Sequence, residues 1–150
     1  MRLQKCFEKY NGFSFDLDGT IYRGERIIEK ADKTINFLKS IGKRIVFVSN
    51  KTTDTVSDYY NFLKKYNFAI EEKEIINATT IIRKHLLKNY KASYFYAIGE
   101  EKFIKELKKV GLKYSSNPRE IDILIVTLDR SLDYQKLETA ALALENGARF

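Results

Sequence analysis

The sequence predicts an α/β fold: a parallel sheet crossed by helices, followed by a second, smaller α/β region. Three observations carry that expectation. Phe13-Ser14-Phe15-Asp16 alternates apolar and polar residues as a short strand does. Arg44-Ile45-Val46-Phe47-Val48-Ser49-Asn50 is a continuous apolar run ending in small polar residues, as in a buried parallel strand. A helical pattern separates the two, and strand, helix, strand in that order makes a right-handed parallel pair.

Taken in order, the first strand ends in Asp16-Leu17-Asp18-Gly19-Thr20, and Tyr22-Arg23-Gly24-Glu25-Arg26 reads as a polar turn. Ile28, Ala31, Ile35, Leu38 and Ile41 then recur at helical spacing, and Gly42 stops that helix. After the second strand, Val56, Tyr59, Tyr60, Leu63 and Tyr66 mark the inner side of a helix over 55–66, with Thr53 or Asp54 as its cap. Glu74 to Asn89 reads as one further amphipathic helix. The pattern then restarts with a strand over 92–98, a helix over 102–110, an apolar strand over 121–128 and a helix over 134–146. This second set either extends the first sheet or forms its own layer. No Gly/Ser-rich linker marks a boundary, and Pro118 is the only proline.

Composition narrows the function classes. Among 150 residues, 44% apolar and 31% charged content is that of a globular protein, and no apolar run is long enough to span a bilayer. Charges run through the first ten residues, so no signal peptide is expected and a cytoplasmic location is the default. Cys6 is alone and His85 sits in a basic helical context, so neither is read as catalytic. The net charge of +7 is spread through helical stretches with interleaved acids, which disfavours a nucleic-acid partner and suits an anionic small molecule.

Chemistry concentrates at the strand tips. Alternation in Asp16-Leu17-Asp18 sends both carboxylates one way and Leu17 back into packing. Two like charges that close call for a cation. A carboxylate can attack phosphorus to form an aspartyl-phosphate: Asp16 fits the nucleophile and Asp18 the general acid and base. Ser49 with the Asn50 amide would hold the transferring phosphoryl group, aided by Thr20 and the amides around Gly19. The crossover rule places the tip at Ser49 beside the tip at Asp16.

These residues resemble a known family. Asp16-Leu17-Asp18-Gly19-Thr20 is similar to the first signature of the haloacid dehalogenase superfamily of phosphatases, and Val48-Ser49-Asn50 to its second. More narrowly, Ile21-Tyr22-Arg23-Gly24 and Phe47-Val48-Ser49-Asn50-Lys51 resemble the capped nitrophenylphosphatase, phosphoglycolate phosphatase and nucleotide-monophosphatase branch. Tyr96-Ala97-Ile98-Gly99-Glu100-Glu101, Leu128-Asp129-Arg130 and Asn146-Gly147-Ala148-Arg149-Phe150 resemble the cap of that branch. The resemblance implies a magnesium-dependent hydrolase of a small phosphorylated metabolite. It implies a Rossmann-like core, here a part over 1–75, and an α/β cap, here a part over 76–150. Magnesium would be held by Asp16 and Asp18, and phosphate by Gly19, Thr20, Ser49, Asn50 and Lys51, where Lys51 stands in place of an asparagine frequent in relatives. Relatives continue past the segment ending at Phe150 to a third-motif lysine and a fourth-motif acidic pair. The alternative expectation is therefore a catalytically incomplete, phosphate-binding or interaction fragment, with self-association through uncovered sheet surface.

Other readings stay open at this level. Asp129 and Asp133, with Lys108, Lys109 or Lys113, would complete a capless enzyme; alternatively the two acids precede or cap the last helix. Counting from Ser14, the acids also approximate a calcium loop, although Phe13 and Phe15 argue for a strand there. A receiver domain is disfavoured because Ser49 and Asn50, and no aspartate, follow the second strand. Ser49 and Asn50 could also serve only to cap the following helix.

Overall fold

In the computed structural model, which describes residues 3–150, the chain runs α1 (Lys5–Glu8), β1 (Gly12–Asp16), β2 (Tyr22–Arg23), β3 (Arg26–Ile27), α2 (Ala31–Ser40), β4 (Arg44–Ser49) and α3 (Val56–Lys65). A 3-10 turn (Glu72–Glu74) leads into β5 (Ile75–Asn77), then α4 (Ala78–Asn89), β6 (Tyr94–Ile98), α5 (Glu101–Lys109), β7 (Lys113–Tyr114), β8 (Ile123–Val126) and α6 (Tyr134–Glu145). Contacts divide it into two units. One is the chain up to Asn50 with Val56–Asn77; the other is Lys51–Thr55 with Ala78–Phe150. No helix among the described residues is long and apolar enough to cross a membrane.

The first unit is a parallel sheet in the order β1-β4-β5. Phe13 pairs with Ile45, Phe15 with Phe47 and Asp16 with Val48, so Phe15 and Phe47 share a face of the pleat. Phe47 and Ile45 lie buried in one core with Ile35 and Leu38 of α2 and Tyr59 and Leu63 of α3. The opposite face is barer: Ser14 is exposed and Val48 is 40% exposed. The continuous apolar run of β4 thus predicts more burial than it receives. Beside β1, an apolar cavity of about 370 Å³ is lined by Leu3, Phe7, Phe13, Phe15, Phe37 and Leu38, among others.

The second unit has its own parallel sheet, β7-β6-β8, and does not extend the first. Arg149 continues it along the far side of β8, giving its amide to the Asp122 carbonyl and its carbonyl to the Leu124 amide, both at 2.8 Å. Phe103 and Leu107, one helical turn apart on α5, are buried with Phe95, Ala97 and Leu86. Ala140 and Ala143 of α6 pack with Tyr96, Ile98 and Leu124. Gly99 ends β6 where a methyl group would collide with Thr127 Oγ1 and press on Phe103.

Three elements differ from the sequence expectation. The helix expected over 74–89 begins only at Ala78, because Ile75–Asn77 pair with Phe47–Ser49 as a third strand. The β-branched Ile75-Ile76 pair suits a pleat as well as a helix, and pairing decides between them. A two-part anchor sets β5. Asn36 of α2 donates to the Asn67 carbonyl (2.8 Å) and accepts the Ala69 amide (2.7 Å), while Lys39 meets Glu74 at 2.6 Å. Secondly, the polar turn after Tyr22 is a β-hairpin, and Lys30, at φ 66°, breaks the chain so that α2 starts at Ala31 rather than Ile28. Thirdly, Lys113–Tyr114 form a short edge strand that the sequence does not announce.

Gly99→Ala should destabilise the second unit by about 1–3 kcal/mol through overpacking, measured by urea denaturation. Adding Thr127→Ala should recover part of the loss, because Thr127 Oγ1 is the atom the methyl group meets.

Candidate functional site

Asp16 is the last residue of β1, and the chain turns sharply beyond it. Leu17 is fully buried, which leaves Asp16 and Asp18 exposed on either side of it, as alternation requires. The Leu17 carbonyl accepts the amides of Thr20 (3.3 Å), Ile21 (2.9 Å) and Tyr22 (3.1 Å), while the Gly19 amide donates to the Tyr22 carbonyl at 2.6 Å. Gly19 sits at φ 85°, a conformation that a side chain resists, so the turn needs glycine there. Tyr22, buried and edge-on to Phe62 with ring centroids 5.2 Å apart, anchors the far side of the turn. One expectation changes: the amides of Gly19 and Thr20 are committed to the turn, leaving the exposed Thr20 hydroxyl as that segment's donor.

The second strand tip lies beside the first. Asp16 pairs with Val48, and Ser49 follows one residue on, paired with Asn77 of β5. The pleat therefore starts the two side chains from opposite faces. Asp16 leaves on the open face with Val48; Ser49 leaves on the helix-covered face with Phe47, where it is only 3% exposed. Its Oγ lies 3.1 Å from the Tyr59 hydroxyl of α3. Ser49 thus belongs to the strand and bonds to the middle of the helix; it is not that helix's cap. Asn50 is exposed and half-buried Lys51 falls in the segment grouped with the second unit.

Sequence reasoning missed two residues here. Asn77, 2% exposed, ends β5 level with Ser49; it was hidden because the preceding isoleucines read as helix. Tyr59 is recognisable in the sequence as an inward residue of its helix, but its partnership with Ser49 is long-range and leaves no local signal.

In the second unit, Asp133 caps α6 by accepting the Lys136 amide at 2.8 Å. Asp129, its side chain 1% exposed, accepts from Lys136 Nζ (2.7 Å) and from the Ser131 hydroxyl (2.8 Å) and amide (2.9 Å). Burial pushes the Asp129 carboxyl up, but the bonds from Lys136 and Ser131 outweigh it and hold the group below its ordinary value of 3.8. Glu100 forms a two-pronged pair with Arg130, its outer bond 2.9 Å, which together with the Arg130 charge lowers its carboxyl pKa. The three lysines considered for a capless enzyme also have local roles: Lys109 pairs with Glu106, and Lys108 and Lys113 lie over the rings of Tyr114 and Tyr94. These contacts match the helix-capping reading of Asp129 and Asp133. His85 is exposed and bonded to Asn89, and Cys6 is an exposed free thiol.

The donor set at the first turn suits a hard cation. Asp16 and Asp18 offer exposed oxygen ligands, and magnesium is commonly held by one or two carboxylates, with water and substrate phosphate filling the remaining positions. No group of three or more His, Cys, Asp or Glu that could hold a metal occurs among the described residues.

Fold and site together define an α/β protein with an acidic pair at the carboxyl edge of a parallel sheet, the edge at which such sheets receive ligands. The chain belongs to the haloacid dehalogenase-like hydrolase family, whose model matches residues 13–113. It is 33% identical to the sugar-phosphatase AraL of Bacillus subtilis over 92% of this chain and 51% of that protein. It is 31% identical to the 5'-nucleotidase YutF of the same organism over 94% of this chain and 54% of that one. A thermostable NPPase double mutant from Geobacillus stearothermophilus superposes with a TM-score of 0.83 at 33% identity, covering 95% of this chain and 55% of its own. The chain thus spans about half the length of the curated relatives it matches.

Because Asp129 is held below its ordinary pKa, the stability it supplies is fully present above about pH 4 and is lost as pH falls through the lowered value. Asp129→Asn should therefore cost about 1–3 kcal/mol at neutral pH. Denaturation curves from pH 7 to pH 2 should show that gap closing below pH 4.

Proposed function

We propose that this chain carries the nucleophile end of a magnesium-dependent phosphatase that hydrolyses a small phosphomonoester through an aspartyl-phosphate at Asp16. The observation that carries the reading is the pair of exposed carboxylates, Asp16 and Asp18, held by the Leu17-anchored turn at the end of β1, next to the β4 tip. Asp16 attacks phosphorus, and the bond to the ester oxygen breaks as Asp18 gives that oxygen its proton. Water then attacks the aspartyl-phosphate while Asp18, now ionised, takes a proton from it, releasing phosphate and restoring the Asp16 carboxylate and the protonated Asp18. Magnesium, held by the Asp16 carboxylate and the Asp18 carbonyl, would supply charge neutralisation for the phosphoryl oxygens. Ser49 and Asn50 contact the phosphoryl group, with the Thr20 hydroxyl and the Gly19 turn beside it.

The names of the relatives, a sugar-phosphatase and a 5'-nucleotidase, support a small phosphorylated metabolite as substrate. The net charge of +7 favours collecting such an anion. Residues up to 75 are read as part of a Rossmann-like core and those from 76 as part of a cap, with a cytoplasmic setting and no nucleic-acid or membrane partner. The bare face of the first sheet, where Val48 is 40% exposed, favours a second reading, in which this chain binds phosphate with little turnover and associates with itself through that face.

The assay is p-nitrophenyl phosphate hydrolysis with magnesium. Turnover should vanish on chelation and fall on the order of a thousandfold or more in Asp16→Asn. Activity that survives Asp16→Asn removes Asp16 as nucleophile. Phosphate binding without turnover is the outcome expected of the second reading.

A further inference from the structure

The phenol of Tyr59 lies against the Ser49 hydroxyl. Resting on the phosphate-binding role proposed for Ser49, we infer that Tyr59 is a positioning residue that orients the Ser49 proton toward the phosphoryl group. Both partners are 3% exposed and their oxygens are 3.1 Å apart, close enough for either to donate to the other. A serine hydroxyl carries one proton and two acceptor lone pairs. The oxygens of a phosphoryl anion accept hydrogen bonds. Once Ser49 gives its single proton to such an oxygen, its bond with Tyr59 survives in only one polarity, the phenol donating to Ser49 Oγ. The chemistry favours that polarity, because a phenol, with a pKa near 10, is a better donor than an aliphatic alcohol. Two bonds then run in one direction, from Tyr59 to Ser49 to phosphoryl oxygen, and each strengthens the next.

The surroundings make the relay rigid. Ser49 lies on β4, the central strand of its sheet, where its neighbours pair with β1 on one side and it pairs with Asn77 of β5 on the other. Tyr59 lies on α3 one turn before Leu63, and both side chains are buried in the core that contains Phe47. The Ser49 side chain is therefore held in place before a ligand arrives, and binding has fewer rotamers to order.

The probe is inorganic phosphate with magnesium, titrated by calorimetry into the 150-residue chain and its variants. Ser49→Ala should weaken binding by about tenfold, the loss of one hydrogen bond to a charged group. Tyr59→Phe keeps the ring in the core and removes only the hydroxyl; it should weaken binding by about threefold to tenfold. Ser49→Ala with Tyr59→Phe should bind no more weakly than Ser49→Ala alone, because in this role Tyr59 reaches the phosphoryl group through that serine. Ser49→Thr keeps a hydroxyl, and Tyr59→Phe should cost the same in that background as in the wild type. A packing role predicts instead a lower melting temperature with unchanged affinity. Tyr59→Phe binding as tightly as wild type while Ser49→Ala binds weakly, or losses that multiply in the double variant, would overturn the role of Tyr59 and leave the phosphate site standing. If the wild type binds no phosphate, or Ser49→Ala binds as well as the wild type, the site itself fails and the inference falls with it.

Discussion

The parallel pairing of β1 with β4 is the constraint on which the rest of the first unit depends. Its register, Phe15 against Phe47 and Asp16 against Val48, fixes where the acidic turn begins and how far beyond it Ser49 lies. A slip of one residue would exchange faces. Asp16 would turn toward the apolar core and Phe15 toward the bare side, so the phenylalanines of both strands defend the register against that alternative. The placement of the acidic turn and the packing of the core are thus specified by the same interactions.

That register also divides the labour between two faces. The open face carries the exposed acid at the end of β1. The covered face carries hydroxyls that burial obliges to find partners, and Ser49 finds Tyr59. The glycine turn adds a third contribution. By directing three successive amides to one carbonyl, it keeps Leu17 in the core and Asp18 out of it. Donors used so are less available to a ligand.

Where local pattern determined the outcome, the sequence was readable. The acid-tipped strand, the helices closed by Gly42, Gly111 and Gly147 and the presence of a second α/β set follow from periodicity and capping preference, whereas the pattern left open whether that set extends the first sheet and whether Asp133 is a cap. Long-range pairing was not readable. Ile75-Ile76-Asn77 has the composition of either element, and it is a strand because it pairs with Phe47–Ser49 of β4, with Lys39 of α2 held to Glu74 beside it. Tyr59 looks like ordinary core until the sheet brings Ser49 beneath it. The pleat was a further limit: neighbouring strand tips were legible, whereas the opposite starting faces of Asp16 and Ser49 needed the register.

A covalent mimic of the acyl-phosphate reports directly on the central claim, that the end of β1 and the tip of β4 serve one phosphoryl group. The measurement is a crystal structure of this chain after exposure to beryllofluoride and magnesium. The beryllium should be bound to an Asp16 carboxylate oxygen, with a fluoride about 3 Å from Ser49 Oγ. Beryllofluoride bound elsewhere, or bound at Asp16 with Ser49 out of reach, would contradict that claim.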